Sequence, residues 1–351
     1  MRILHITSAL SWRGGERQID FLVDYLNKEG HEVYLLSPNE SKIYQRSRHK
    51  FTSCKILLRS SFAAIANINQ LKRICAEFEI DLIHAHDSFS HSLVWMAYRL
   101  GNLTTPSLVT RRLNNQVRRR SFQKYNHPKV QKLICVSKAV YDNMAPRIKD
   151  QERLEIIHSG INLQNKYEKQ KHSGINIIYI AAFEPEKNHE TFLAVAQELL
   201  NDDSITQDLQ FTLIGSGSLF ESIRKQAVSI SDKILLTGFV EDVEAQISIA
   251  DILLHTATEE ALGTSILDCM KYGLPVVSSN VGGIPELVHE GKNGFLHKPY
   301  DIEAMSNSLR KLIESPNLIA EFEKNNAKIV QQFDKDKMAK KIVELYHEVI
   351  Q

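Results

Sequence analysis

The chain has 351 residues, enough for two domains with sizeable cores, and its 43% hydrophobic and 24% charged content is that of a water-soluble globular protein. No apolar run approaches the ~20 residues of a membrane-spanning helix, and the start shows no signal-peptide pattern. A net charge of +1 conceals a division: residues 1–160 carry 25 Lys+Arg against 14 Asp+Glu, and the remainder is correspondingly acidic.

Residues 1–17, MRILHITSALSWRGGER, read as a buried strand at 3–6 and a short loop in which Gly14 and Gly15 open a helix. A glycine pair lets a phosphate or sugar approach the backbone. Ile19, Leu22 and Leu26 then repeat at helical spacing. Further strands are expected at 33–36, 82–84, 107–109 and 132–136, as apolar runs buried on both faces. The third ends in DLIHAHD, which sets His84, His86 and Asp87 at the strand end that faces the ligand crevice of such sheets. The fourth ends in Arg111 and Arg112, and Arg112 is suited to an anionic sugar, a diphosphate or an acceptor phosphate. Residues 88–141 hold ten basic side chains, Arg118, Arg119 and Arg120 among them, and no acid. Such a surface attracts an anionic partner.

A polar stretch at 164–174, QNKYEKQKHSG, reads as the linker to a second domain. The strand–helix rhythm then resumes, with strands expected at 177–180, 211–214, 234–236, 252–255 and 276–278. After the first of these, EPEKNH at 184–189 brings Lys187 into a turn. A point cation there can neutralise a departing diphosphate. Gly215-Ser216-Gly217 is not a dinucleotide fingerprint, because Phe220 stands where the third glycine belongs. Gly215 and Phe239 lie in expected turns that follow strands. In the segment 258–277, TEEALGTSILDCMKYGLPVV, Glu260 precedes a helix opened by Gly263, Thr264 and Ser265, and Asp268 lies inside it. The free amides of such a helix start attract phosphate. Met338, Ile342, Leu345 and Val349 mark a last amphipathic helix. Cys54, Cys75, Cys135 and Cys269 are scattered and read as reduced core thiols, and the histidines form no metal spacing.

The segment 258–277 resembles the E-x7-E signature of family 4 glycosyltransferases, here as E-x7-D. The turn at 184–189, the junction IHSGIN at 157–162, SNVGGIPELVHEGKNG at 279–294 and the opening glycine loop resemble the same family, so the likeness runs over nearly the whole chain. It implies an α/β fold of the GT-B type, two doubly wound Rossmann-like domains facing a central cleft. The expected bounds are 1–163 for an acceptor-side domain, 164–174 for the linker, 175–333 for a nucleotide-sugar domain, and 334–351 for a helix that packs back on the first.

The resemblance further implies a retaining enzyme that moves a sugar from a nucleotide-diphosphate-sugar donor to a glycan or glycolipid hydroxyl, as in cell-surface polysaccharide or lipopolysaccharide synthesis. Glu260, Lys187, His86 and Arg112 would be catalytic. Gly14, Gly15, Gly215, Phe239, Gly263, Thr264, Ser265 and Asp268 would bind the donor, with Glu260 on the sugar and Asp268 on the ribose. Two departures stand out: Ala182 replaces a usual phosphate-binding arginine, for which Arg13, Arg17 and Arg112 are candidate substitutes, and Arg112 replaces a usual histidine. No metal, other cofactor or nucleic acid is expected. The expected location is cytoplasmic, with peripheral contact at the inner face of an anionic membrane. Other readings are a GT-B epimerase or phosphorylase, or a catalytically silent partner subunit.

Overall fold

The computed structural model describes residues 1–58, 63–164, 166–170 and 172–350. The chain forms two compact units: Met1–Gly160 together with the chain from Lys335 on, and Ile161–Asp334.

The first unit alternates strands and helices. Its strands are β1 (Arg2–Ile6), β2 (Glu32–Ser37), β3 (Ser53–Ile56), β4 (Leu82–Ala85), β5 (Ser107–Arg111), β6 (Val130–Cys135) and β7 (Leu154–Ile156). They are interleaved with α1 (Gly14–Lys28), α2 (Lys42–Ser47), α3 (Ala64–Glu77), α4 (Ser88–Leu100), α5 (Phe122–Tyr125) and α6 (Lys138–Met144). The strands pair in parallel in the order β3-β2-β1-β4-β5-β6-β7. Parallel strands buried on both faces account for the runs of Ile, Leu and Val that lack alternation. Ile19, Leu22, Val23 and Leu26 of α1 are buried against this sheet.

The second unit holds β8 (Ile175–Ile180), β9 (Leu209–Ile214), β10 (Ile234–Gly238), β11 (Ile252–His255), β12 (Val276–Ser279) and β13 (Gly294–His297). Its helices are α7 (His189–Leu200), α8 (Phe220–Ile230), α9 (Val243–Ile247), α10 (Thr264–Lys271), α11 (Ile302–Ile313) and α12 (Pro316–Ile329). The sheet is parallel in the order β10-β9-β8-β11-β12-β13. Phe192 of α7 sits between Tyr179 and Phe211, with ring centroids 5.8 and 5.9 Å away. The final helix, α13 (Lys335–Ile350), belongs to the first unit and buries Met338, Ile342, Leu345 and Tyr346 in its core.

Every strand expected from apolar runs is present. Three were missed: β3, β7 and β13. Each is short and flanks its sheet, and the sequences SCKI, LEI and GFLH hold too few consecutive apolar residues to stand out. The stretch 164–174 contains no regular element among its described residues. Asn165 and Lys171 lie outside the described residues. The segment is held to the second unit, where Tyr167 donates its hydroxyl to Asp242 at 2.6 Å.

In both sheets the strand order reverses once, between β1 and β4 in the first unit and between β8 and β11 in the second. Loops leaving the carboxyl ends of two such strands diverge and open a crevice between them. The β1 and β4 loops carry Gly14, Gly15 and His86, and the β8 and β11 loops carry Lys187 and Glu260.

Phe192 is fully buried. Phe192→Ala should cost about 3–5 kcal/mol of stability through lost burial and the cavity left behind. Urea unfolding should show a lower midpoint with an unchanged slope.

Candidate active site

The second unit's crevice is built from two loops. Lys187 closes a short 3-10 turn, Pro185–Lys187, after β8. Asn188 follows with φ 48°, a left-handed conformation that asparagine tolerates, and starts α7. Tyr179 donates its hydroxyl to the Lys187 carbonyl at 2.7 Å, and Thr256 donates to the Asn188 carbonyl at 2.9 Å. Thr258 donates its amide to the Glu186 carbonyl at 2.8 Å. These bonds tie the two loops together and fix the lysine backbone.

The lysine then reaches across the switch point. Its Nζ donates to Glu260 Oε2 at 2.8 Å, and both side chains are only 18% exposed. The other carboxylate oxygen accepts from the Ala261 amide at 3.1 Å. His255, at the end of β11, places Nε2 3.8 Å from Glu260 Oε2. Burial raises the Glu260 pKa, but Lys187, His255 and the Ala261 amide together outweigh it, and the net shift is downward. Burial pushes His255 down to about 4, opposed by Glu260, so the imidazole is neutral near pH 7.

Helix α10 begins just beyond. Gly263 caps it with φ 100°, and a Cβ there would stand 2.9 Å from Ile266 Cδ1. A side chain at this position would meet both backbone strain and a clash. The first helical amides, of Thr264 and Ser265, precede the first intrahelical donor, Ile266, which donates to the Gly263 carbonyl at 3.0 Å. Thr264, Ser265 and Asp268 are half-buried, while Ile266, Leu267, Cys269 and Met270 face the core. The expected donor-binding side chains of α10 therefore share its outer side. Gly215 follows β9 with φ 143°, and a Cβ there would fall 1.9 Å from the Ala181 carbonyl oxygen. That close approach alone demands glycine. Phe239 is 60% exposed beside Gly238, whose carbonyl accepts from the Gly215 amide at 3.0 Å.

The first unit brings together Gly15, His86 and Arg112. A Cβ on Gly15 would lie 3.4 Å from Arg112 Cδ. Arg112 Nη1 lies 3.3 Å from His86 Nδ1, and His86 Nε2 lies 2.8 Å from His5 Nδ1. A guanidinium only donates, so His86 carries its proton on Nε2 and donates to His5. The His5 proton is then on Nε2, which is buried without a partner. The His84 ring lies tilted against His86 with centroids 3.9 Å apart, and its nitrogens bond Tyr346 at 2.6 Å and Thr110 at 2.7 Å. Burial and then Arg112 push His5 down to about 3; burial and the neighbouring rings hold His84 and His86 well below the usual range. Burial also draws Arg112 down to about 10, opposed by Glu16, Tyr346 and Asp87, so it stays charged.

Among the described residues, His5, His84 and His86 are the group whose nitrogens lie close enough to hold a metal, within 4.8 Å of one another. Both nitrogens of His84 and the facing nitrogens of His5 and His86 are already hydrogen-bonded. Asp87 is structural: it accepts from the Ser8 and Ser90 amides at 2.6 and 2.9 Å.

Two family models match the chain in succession. "Glycosyltransferase Family 4" matches residues 12–165, and "Glycosyl transferases group 1" matches residues 162–329. The chain belongs to the family 4 glycosyltransferases. Among its relatives, an uncharacterized glycosyltransferase of Methanocaldococcus jannaschii is 25% identical over 79% of this chain and 78% of its own. An alpha-monoglucosyldiacylglycerol synthase of Acholeplasma laidlawii is 23% identical over 94% and 92%. The crystal structure of Anabaena HepE in complex with UDP-glucose superposes with a TM-score of 0.84 at 17% identity, covering 99% of this chain and 100% of that one. That likeness establishes the GT-B fold of two Rossmann-like domains.

In this glycosyltransferase, the residues that support the site are less visible in sequence than the site itself. His255 and Tyr179 lie in apolar strands, and nothing in the runs INIIYI and ILLH distinguishes them from core. His5 is likewise a β1 residue, and only its place beside His84 in the paired strands reveals it.

The Lys187–Glu260 pair has a direct electrostatic test. A carboxyl with a depressed folded pKa adds stability above its unfolded pKa, and loses it as pH falls through the folded value. Burial is already the largest single influence on Glu260, and in Lys187→Met the cation that chiefly opposes it is gone. The Glu260 pKa should move above the usual carboxylate range, so that the group becomes destabilising as pH rises. A ¹³C NMR titration of the Glu260 carboxyl checks this, and an unmoved titration would show that Lys187 does not set it.

Proposed function

We propose that this enzyme is a retaining transferase that takes a sugar from a nucleoside diphosphate donor and delivers it to a hydroxyl of a glycan or glycolipid. The observation that carries this reading is the Lys187–Glu260 pair at the β8/β11 switch point, beside the start of α10. A diphosphate seated on the Thr264 and Ser265 amides would lie near the lysine. It would compete with Glu260 for the ammonium, and the carboxylate would be released to accept from sugar hydroxyls. Asp268, one helical turn further, suits the ribose hydroxyls. Phe239 offers an exposed ring to the base.

In the reaction, the bond from the sugar's anomeric carbon to the phosphate oxygen breaks, and one to the acceptor oxygen forms on the same face. The acceptor's proton passes to the departing phosphate oxygen. Lys187 and the helix amides stabilise the negative charge that grows there. Arg112, held by His86 against Gly15, suits an anionic group at the crevice of the first unit.

HepE, solved with UDP-glucose, supports a nucleotide-sugar donor, and the Acholeplasma relative, named as an alpha-monoglucosyldiacylglycerol synthase, supports a lipid acceptor. The net charge of +11 over residues 1–160 supports an acceptor at an anionic surface. Among the described residues no helix is long and apolar enough to cross a membrane, so contact through this part of the chain would be peripheral. Synthesis of a cell-surface glycan or lipopolysaccharide, at the cytoplasmic face of the membrane, is the setting this chemistry fits.

Glu260→Ala and Lys187→Ala should each lower kcat by about 10²–10³ without unfolding the protein, as loss of a preorganised charge contact does. Asp268→Ala should chiefly weaken nucleotide binding in calorimetry. Near wild-type turnover in either of the first two variants removes that residue from the site.

A further inference from the structure

A cavity of 850 Å³ opens on the first unit among α4, α5 and the turn after α6, lined by Arg99, Arg119, Arg147 and Lys149 with Phe122 and Gln123. Arg99 lies in the last turn of α4 and Phe122 starts α5, so these residues come from the outer helical layer rather than from the switch point at β1 and β4. The cavity therefore has no share in the donor chemistry described above.

Its electrostatics are one-sided. Among the described residues none of the four cations makes a salt bridge. Arg147 donates to the Val117 carbonyl at 3.2 Å and lies 5.4 Å from the Phe122 ring centre. Arg99 lies over the Trp95 ring at 5.5 Å. Residues 88–141 contain no acid, and the first beyond them, Asp142, is paired with Lys138. Asp150, next to Lys149, accepts from the Glu152 amide at 3.2 Å within its own turn. Four cations converging without a counter-charge raise the local potential and favour an anion.

A second observation says what kind of anion. Of the ten exposed large apolar side chains among the described residues, five fall within residues 58–113: Leu58, Ile65, Phe89, Leu100 and Leu113. Leu100, 77% exposed, follows Arg99 directly. The next residue, Gly101, packs on α3, where a Cβ would meet Ile68 Cγ2 and Lys72 Cδ at 3.0 Å. Ile65, 72% exposed, is one turn before Ile68. Exposed apolar side chains interleaved with cations match the boundary between lipid headgroups and acyl chains, whereas a soluble polyanion gains nothing from Leu100 or Ile65.

We propose that this cavity is a lipid headgroup site, which takes the phosphate of an anionic phospholipid while Leu100 and Ile65 enter the headgroup boundary. The inference rests on the reading that the acceptor is met at an anionic membrane, and it names the residues and the headgroup chemistry of that contact. Arg119, Arg147 and Lys149 donate to phosphate oxygens. Arg99, stacked on Trp95, marks the depth at which indole and guanidinium sit in the interface.

Vesicle sedimentation tests it, with phosphatidylcholine vesicles against phosphatidylcholine mixed with phosphatidylglycerol. The full-length protein should bind only the mixed vesicles. Arg119→Glu combined with Lys149→Glu removes side chains that make no hydrogen bond or salt bridge among the described residues, and should weaken that binding by about tenfold or more. Leu100→Asp should weaken it too, with an unchanged melting temperature in both variants. If the double variant binds as wild type does while Arg118→Glu/Arg120→Glu loses binding, the cavity proposal falls and the membrane reading stands. If wild type binds neither vesicle, both fall. Calorimetric binding of inorganic phosphate that depends on Lys149, without vesicle binding, assigns the cavity to a soluble anion and overturns the lipid site.

Discussion

Withdrawing a carboxylate from water costs free energy, and in the second unit that cost at Glu260 is offset by an ammonium at 2.8 Å and a backbone amide at 3.1 Å. The pair forms because β8 and β11 are neighbours whose loops leave in opposite directions. Their sequence separation of more than seventy residues is irrelevant to the geometry. The same pair gives the site its readiness. An anionic ligand at this crevice would compete with Glu260 for the Lys187 ammonium. Removing either residue leaves the other without its charge partner.

The first unit solves a related problem by other means. Arg112 is a half-buried cation that makes no salt bridge among the described residues, and its closest partner is a neutral ring, His86. Three histidines kept unprotonated by burial form a polar but uncharged base for it. The chain of donors runs one way, from Arg112 to His86 to His5, so the tautomers are set by the guanidinium. Helix α13 closes this arrangement through Tyr346, which occupies His84. A residue near the end of the chain thereby fixes a residue at the crevice of the first sheet.

Much of this was readable from the sequence because buried parallel strands are written as unbroken apolar runs, and because site residues follow those runs directly. Glu260, Lys187 and Gly263 were visible as charges or glycine immediately after a strand or before a helix. Edge strands such as β3 and β13 were not, since a flanking strand needs fewer apolar residues. Gly215 was legible as a turn, but its reason, the Ala181 carbonyl at the place of a side chain, depends on strand pairing that no local pattern reveals. The partners of His86 lie far off in sequence, in β1, β5 and α13, and only the fold brings them together. The acid-free stretch 88–141 showed that a basic surface exists, yet not that four of the basic side chains near it line one cavity.

The central claim is that a nucleoside diphosphate seats on the start of α10 and draws Lys187 away from Glu260. A crystal structure of the protein with UDP tests it most directly. The account predicts phosphate oxygens within hydrogen-bond distance of the Thr264 and Ser265 amides and of Lys187 Nζ, with the ribose at Asp268 and the Lys187–Glu260 bond lengthened or broken. A nucleotide bound elsewhere, or seated on α10 with that ion pair intact, would contradict it.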